Sequence, residues 1–315
     1  MAFSPDNNHL IANYHYVENP RDDAKGIYPC AIDEFERHII FLKDHYRFVS
    51  VPEIFEQAQK GSREKLCAIT FDDGLQDQWE NALPILKRHG VCATFFIITG
   101  TLEGVIPSAH KIHLLASLIP LSELAQKFNA FILHAFPMTA LSYFIPSDRY
   151  LSNKRRHDDI ITANFKEMLN NIAPRDMSGA FFSAMFKELG INEEDECKKI
   201  FMNIEQICAL HNDGFFIETH THNHYSLDRE SSESIREDFR AAIDSFKRIV
   251  GRPPSVIAYP YGRALDDHTL LAEYGITHGV TVENRAIGID DNALLIPRFD
   301  ANDIKNALNI TLSFQ

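Results

Sequence analysis

Over residues 9–100 short apolar runs alternate with amphipathic stretches. His9 to His15 reads as a strand, and Ala31 to His45 places Ile32, Phe35, Ile39, Phe41 and Leu42 at roughly helical spacing. Leu66 to Phe71 reads as a strand, Trp79 to His89 as a helix and Ala93 to Thr99 as a strand. This βαβαβ rhythm implies parallel strands with helices outside. Between about 103 and 200 the pattern changes. Apolar positions at Leu114, Leu115, Leu118, Leu121 and Leu124, then Phe165, Met168 and Leu169, then Phe181, Phe182, Met185, Phe186 and Leu189 read as helices joined by Pro and polar breaks. The earlier rhythm then resumes: a helix near Met202 to His211, a strand Phe215 to Glu218, a helix Ser232 to Val250, a strand Val256 to Tyr259, a helix Asp266 to Tyr274, a strand Thr277 to Val282 and an apolar run Ala293 to Ile296. The expected organisation is one α/β barrel over 1–315 with a helical insertion at 103–200.

Charge narrows the classes of partner. Lys+Arg 31 against Asp+Glu 44 gives a formal net charge of −13, which argues against a nucleic-acid binder. A hydrophobic share of 45% is enough for a substantial core and lies far from the composition of disordered chains. The five cysteines, Cys30, Cys67, Cys92, Cys197 and Cys208, are scattered without a C-x-x-C pair, so neither a disulfide framework nor a thiolate zinc site is expected. The first twenty residues lack the basic start and apolar core of a secretory signal, and no 18 apolar residues run consecutively. The expectation is a soluble, cytoplasmic protein without a transmembrane segment.

Three strand ends carry candidate chemistry. Leu66 to Phe71 runs into Asp72-Asp73-Gly74. Neighbouring side chains on a strand point to opposite faces, so these two carboxylates converge only where the backbone curls, which Gly74 permits. Two carboxylates so close ionise together only beside a cation or donor. The strand ending at Glu218 is followed by Thr219-His220-Thr221-His222-Asn223-His224, three imidazoles within five positions that suit zinc or a similar divalent metal. His220 with His224 fits a helical turn or tight loop, and His220 with His222 fits continued strand; the spacing leaves both open. Third, Tyr259-Pro260-Tyr261-Gly262 is a constrained turn in which a fixed backbone N–H could face a developing oxyanion.

The ordered set Thr70-Phe71-Asp72-Asp73-Gly74, Ala82-Leu83-Pro84-Ile85-Leu86, Ala93-Thr94-Phe95-Phe96-Ile97, His220-Thr221-x-x-His224 and Tyr259-Pro260-Tyr261-Gly262 resembles the NodB-homology polysaccharide deacetylases, carbohydrate esterase family 4. The resemblance covers about 9–100 and 202–300 and leaves the middle block unaccounted for. It implies a distorted (β/α)7-type barrel, a divalent metal on Asp73, His220 and His224, usually zinc with cobalt, nickel or iron as alternatives, and Asp72 as general base. His222 then becomes a wall residue. Two departures matter. The Arg that usually precedes the Pro of the third motif is replaced by Ala258, and Arg298, with Asp300 as partner, is the candidate substitute. The late Leu-x-His motif of the catalytic acid is absent, but Asn13-Tyr14-His15-Tyr16-Val17 resembles the Tyr-His-x-Val segment of a circularly rearranged branch, which makes His15 the candidate acid.

The implied activity is removal of an N-acetyl group from an amino sugar in a polysaccharide, oligosaccharide or carrier-linked glycan. Tyr261, Pro260 and Arg298 would line the oxyanion and substrate side, and Tyr14, Tyr16, Tyr259 and Tyr261 would offer stacking faces. The insertion would either narrow the cleft or serve as a dimerisation element, and the sequence leaves both open. The competing readings are a metal-dependent amidase on a non-sugar amide and an inactive metal-containing carbohydrate-binding module, the second kept alive by Ala258.

Overall fold

The computed structural model describes residues 4, 7–21, 27–152 and 158–306. In chain order the elements are β1 (His9–Tyr14), α1 (Ile32–His45), β2 (Arg47–Phe48), α2 (Val51–Gln59), β3 (Leu66–Phe71), α3 (Leu83–His89), β4 (Thr94–Ile97), α4 (Ser108–Leu118), α5 (Leu121–Ala135), α6 (Ile160–Glu167), α7 (Arg175–Leu189), α8 (Glu193–Ile200), α9 (Ile204–Asn212), β5 (Phe216–Thr219), α10 (Ser232–Ile249), β6 (Val256–Ala258), α11 (Thr269–Glu273), β7 (His278–Val280) and β8 (Phe299–Asp300). The chain divides into two compact units. One comprises Met1–Asn19, Pro29–Glu103 and Lys198–Gln315, and the other Pro20–Tyr28 and Gly104–Cys197. No helix among the described residues is long and apolar enough to cross a membrane.

The first unit holds the sheet, in the order β7-β6-β5-β4-β3-β1-β8, with β2 paired to the start of β3. Every pairing is parallel. The result is a curled, all-parallel α/β sheet, a half-barrel as the sequence pattern implies. All six residues of β1 and of β3 are buried, as expected of parallel strands covered on both faces. Rings on one face of β1, β3 and β4 meet those of α1: Phe71 stacks on Phe95 at 4.8 Å, and Phe35 meets Tyr14 edge-on at 4.9 Å.

The apolar run Ala293–Ile296 forms no strand of its own among the described residues. It lies against β7, where Gly279 N–H donates to Ala293 O, and Ile296 N–H donates to Gly279 O. Three residues later β8 pairs with β1, Ala12 opposite Phe299 and Asn13 opposite Asp300. One segment, 293–300, thus bonds to both edges of the open sheet, and Arg298 sits between the two contacts. The pattern reading did not separate β2 and α2, because two strand residues and a nine-residue helix are too short to show a period.

The second unit is helical, with a core of its own that joins Ile112 and Leu115 of α4, Leu124 and Phe128 of α5, Phe165 of α6 and Phe181, Phe182 and Met185 of α7. Asn164 fastens its surface loop, accepting from Leu151 N–H and donating to the carbonyls of Pro146 and Arg149.

His38 gives the first unit a pH dependence. Its ring is buried with Nδ1 3.2 Å from the Tyr14 hydroxyl, and burial lowers its pKa from 6.5 to about 4 against the raising effect of Glu34. A histidine with a depressed folded pKa stabilises fully above its unfolded value and loses that contribution as the pH falls toward the folded one. Chemical denaturation should therefore show stability falling between about pH 6.5 and pH 4, by up to about 3 kcal/mol, and His38→Gln should flatten that slope.

Candidate active site

The backbone turns sharply where β3 ends. Asp72 N–H donates to Tyr14 O at 3.0 Å, and then Asp73 (φ 76°) and Gly74 (φ 72°) both take left-handed conformations. A Cβ on Gly74 would lie 3.0 Å from Ile97 Cδ1, so the position suits glycine for space as well as for φ. The two carboxylates are buried side by side in sequence and face different partners. Asp72 holds a two-pronged ion pair with Arg298, Nη1 to Oδ1 at 2.8 Å and Nη2 to Oδ2 at 2.7 Å. Asp73 Oδ1 lies 3.4 Å from His220 Nε2 and 3.6 Å from His224 Nε2. Burial pushes the Asp72 carboxyl up, but Arg298 and then His220 outweigh it and bring the pKa down to about 2. His220 shows the mirror case: burial lowers its pKa, and the charges of Asp72 and Asp73 outweigh that and raise it.

The histidine loop follows β5. His220 N–H joins the Ile97 carbonyl, which continues the β4 pairing one residue past the strand. His220 Nδ1 lies 2.7 Å from the Ala258 carbonyl, and a carbonyl only accepts, so Nδ1 carries the proton and the Nε2 lone pair faces Asp73. Thr221 (φ 68°) and His224 (φ 58°) bend the chain back, and His224 N–H donates to Thr221 Oγ1 at 3.0 Å. The result is one carboxylate oxygen and two imidazole nitrogens within 4.8 Å of one another, all buried. That donor set, with one imidazole already oriented through its other nitrogen, fits a divalent metal of the zinc type. His222 turns elsewhere, with Nδ1 2.9 Å from Thr99 Oγ1, which resolves the spacing question in favour of His220 with His224.

The remaining sequence candidates are placed as follows. His15 Nε2 is 3.7 Å from Asp72 Oδ2, with its side chain 41% exposed, so it faces both the carboxylate and solvent. Pro260 is buried at the start of the turn after β6, and Tyr261 (φ 58°) sets its ring 4.8 Å from that of His224. Arg298 is 1% exposed and spends its guanidinium on Asp72, Asn13, Thr70 and the Thr281 carbonyl; Asp300 instead accepts from Asn302. Arg298 is thus a partner of the carboxylate and offers no face to a substrate. Tyr14 and Tyr259 are buried as well, and the Tyr259 hydroxyl donates to the Leu294 carbonyl, which removes both from the expected stacking surface.

Sequence reasoning missed three polar residues. Asn13 donates to Asp72 Oδ2 at 3.3 Å and accepts from Arg298 at 2.8 Å; Thr70 donates to Asn13 Oδ1 and to the Ala12 carbonyl. Gln78 donates to the carbonyls of His15 and Asp72. The available signal was a polar residue on an otherwise apolar strand: Asn13 and Thr70 are opposite one another in the β1–β3 register. Among the described residues the non-glycine residues with positive φ are Asp73, Thr221, His224 and Tyr261, and all four lie in this site. Each such residue costs roughly 1–3 kcal/mol and persists only where its surroundings over-determine it, so their gathering at one place marks it as functional.

The model of the polysaccharide deacetylase family matches residues 59–113 and 157–279, more than half of the chain. The chain belongs to the polysaccharide deacetylase family. A poly-beta-1,6-N-acetyl-D-glucosamine N-deacetylase of Staphylococcus aureus is 35% identical over 108 residues, 30% of this chain. The chain spans only 37% of that curated relative's length. Among solved structures, a Streptococcus pyogenes deacetylase in complex with acetate aligns with a TM-score of 0.59 at 16% identity, covering 95% of this chain and 97% of the other. IcaB from Ammonifex degensii aligns at 0.57 and 16%, covering 96% and 97%. At that identity the likeness is one of fold. The family assignment agrees with three strand ends that converge at one rim, where α/β barrels carry their chemistry.

Removing one partner of a buried ion pair strands the other charge. Arg298→Met should cost the protein about 3 kcal/mol or more in urea denaturation at neutral pH, and adding Asp72→Asn to that variant should recover part of the loss.

Proposed function

We propose that this polysaccharide deacetylase is a metal-dependent enzyme that hydrolyses the N-acetyl group of an amino sugar in a polysaccharide, oligosaccharide or carrier-linked glycan. The observation that carries the reading is the division of labour at the end of β3: Asp73 gathered with two imidazole nitrogens, and Asp72 beside it held ionised by Arg298. A divalent ion on Asp73, His220 and His224, zinc first by the donor types, would supply Lewis acidity toward the acetamide carbonyl. Asp72 has a low pKa and a fixed orientation, and its carboxylate takes a proton as water adds to the acetamide carbon. Tyr261 takes a left-handed turn with its ring against that of His224, and its backbone N–H supplies a donor to the oxyanion. Protonated His15, across Asp72 and open to solvent, donates to the departing nitrogen as the C–N bond breaks. The products are acetate and a free amino group.

His15 directly follows β1 and does not lie in a late segment, which supports a place for this chain in the circularly rearranged branch. First and last strands are neighbours here, with β8 paired to β1, so either could deliver an imidazole to the same rim. The inactive-module reading rested on Ala258. Arg298 supplies a guanidinium to the base by another route, which favours the catalytic reading.

Acetate release from N-acetylated oligosaccharides and glycolipids, with metal analysis of the same samples, tests the proposal. Asp72→Asn should keep the metal and lose 100- to 10,000-fold in turnover, roughly the share of a general base, and His15→Ala a comparable share. His220→Ala should lose metal and activity together. Near-normal turnover in Asp72→Asn would overturn the base assignment.

A further inference from the structure

The turn between the two histidine ligands is gripped from both sides by residues that reach neither the metal donors nor the reacting atoms. Asp238 lies on α10 and is buried. Its Oδ2 accepts the His222 N–H at 2.8 Å, and its Oδ1 accepts the Asn223 N–H at 2.8 Å and the Asn223 side-chain amide at 2.9 Å. Among the described residues every hydrogen bond of this carboxylate goes to that one turn. On the opposite side, Thr99 N–H donates to Thr221 O at 3.1 Å and Gly100 N–H to His222 O at 2.9 Å. A Cβ on Gly100 would stand 2.6 Å from the His222 carbonyl oxygen, closer than side chains approach, so only glycine admits this contact.

We propose that Asp238, working against Gly100, is a positioning residue for the metal site, holding the 221–224 turn so that His220 and His224 present their Nε2 atoms together to Asp73. The reasoning runs through strain. Thr221 and His224 sit at φ values that a free chain leaves, and the two bonds internal to the loop, from Thr221 N–H to Thr219 Oγ1 and from His224 N–H to Thr221 Oγ1, define its ends without fixing its middle. The middle is His222-Asn223, and Asp238 takes both of its backbone donors with one rigid carboxylate. Relaxation there would swing His224 while leaving His220 tied to the Ala258 carbonyl, separating the two nitrogens. A residue one step removed from a ligand governs metal affinity in this way without contacting the ion.

The inference rests on the metal reading of the site, and zinc binding by the full chain tests the two separately. Zinc would be titrated in competition with a chromogenic chelator, and cobalt absorption recorded as a reporter of ligand geometry. Asp238→Asn turns one acceptor into a donor facing a backbone N–H and should weaken zinc binding 10- to 100-fold and alter the cobalt spectrum. Asp238→Glu should recover part of the affinity, and Gly100→Ala should weaken it from the other side. Asn223→Ala keeps both backbone bonds and should stay within about threefold of the parent, since the outer-shell contacts to the turn backbone survive. Should Asp238→Asn fail to fold, Asp238→Glu and Gly100→Ala carry the same comparison. Zinc affinity and a cobalt spectrum unchanged in the folded Asp238 variants, even with a lowered melting temperature, would overturn the positioning role alone. A parent chain that takes up no zinc would overturn the metal reading and this inference with it.

Discussion

Two consecutive carboxylates, buried at the end of one strand, can both stay ionised only if the protein gives each its own counter-charge. Asp72 and Asp73 turn away from each other, the first toward the guanidinium of Arg298 and the second toward the imidazole nitrogens that with it would hold a cation. The left-handed φ at Asp73 sends the second carboxylate toward His220 and His224, and the first remains in strand register beside Arg298. Were the turn an ordinary extension of β3, the side chains would alternate across the sheet, and one of them would enter the apolar core. The gathering of Asp73 with two imidazoles, the orientation of Asp72 and the burial of Arg298 all follow from that single change of backbone direction.

The arginine itself arrives by way of the barrel's closure. In the segment 293–300 the chain leaves β7, crosses to β1 and pairs there through Phe299 and Asp300. Arg298 lies on the crossing, its backbone N–H bonded to Glu283 O and its Nε to Thr281 O, so the guanidinium is aimed inward before it meets Asp72. Ala258 stands where the resembling enzymes usually carry the arginine. Its carbonyl here serves the imidazole of His220 instead.

The legible part of this chain was the part governed by local rules. Parallel strands buried on both faces gave β1, β3 and β4 as continuous apolar runs, and the amphipathic spacing of α1 and α10 was plain. Asp72, Asp73 and the histidine cluster stood out because acids and imidazoles bunched at the ends of apolar strands have few structural uses. The illegible part depended on long-range pairing. Nothing local to residues 293–300 announces that the segment closes the sheet, so Arg298 was assigned a partner two positions away, Asp300, when its partner lay 226 residues away. Asn13 and Thr70 were hidden for the same reason: their meaning lies in cross-strand register. Tyr14 and Tyr259 were misjudged because an aromatic at a strand end has the same composition whether it faces the cleft or the core.

A further economy concerns His15. Gln78 donates to the carbonyls of both His15 and Asp72, Asp77 accepts the Val17 N–H at 2.6 Å, and Asn81 donates to the Val17 carbonyl. Asp77, Gln78 and Asn81 lie on or beside the π-helical turn Gln78–Ala82, which begins four residues after Gly74. One stretch of ten residues therefore contains Asp72, Asp73 and the side chains that hold the His15–Val17 segment. Burial pushes the Asp77 carboxyl up to about 7 even with the Val17 N–H bonded to it, a cost that a surface turn would not impose. The segment that carries His15 is thus hydrogen-bonded to the same stretch of chain that carries Asp72, so the relative placement of imidazole and carboxylate is set by a few short contacts, buried or partly buried.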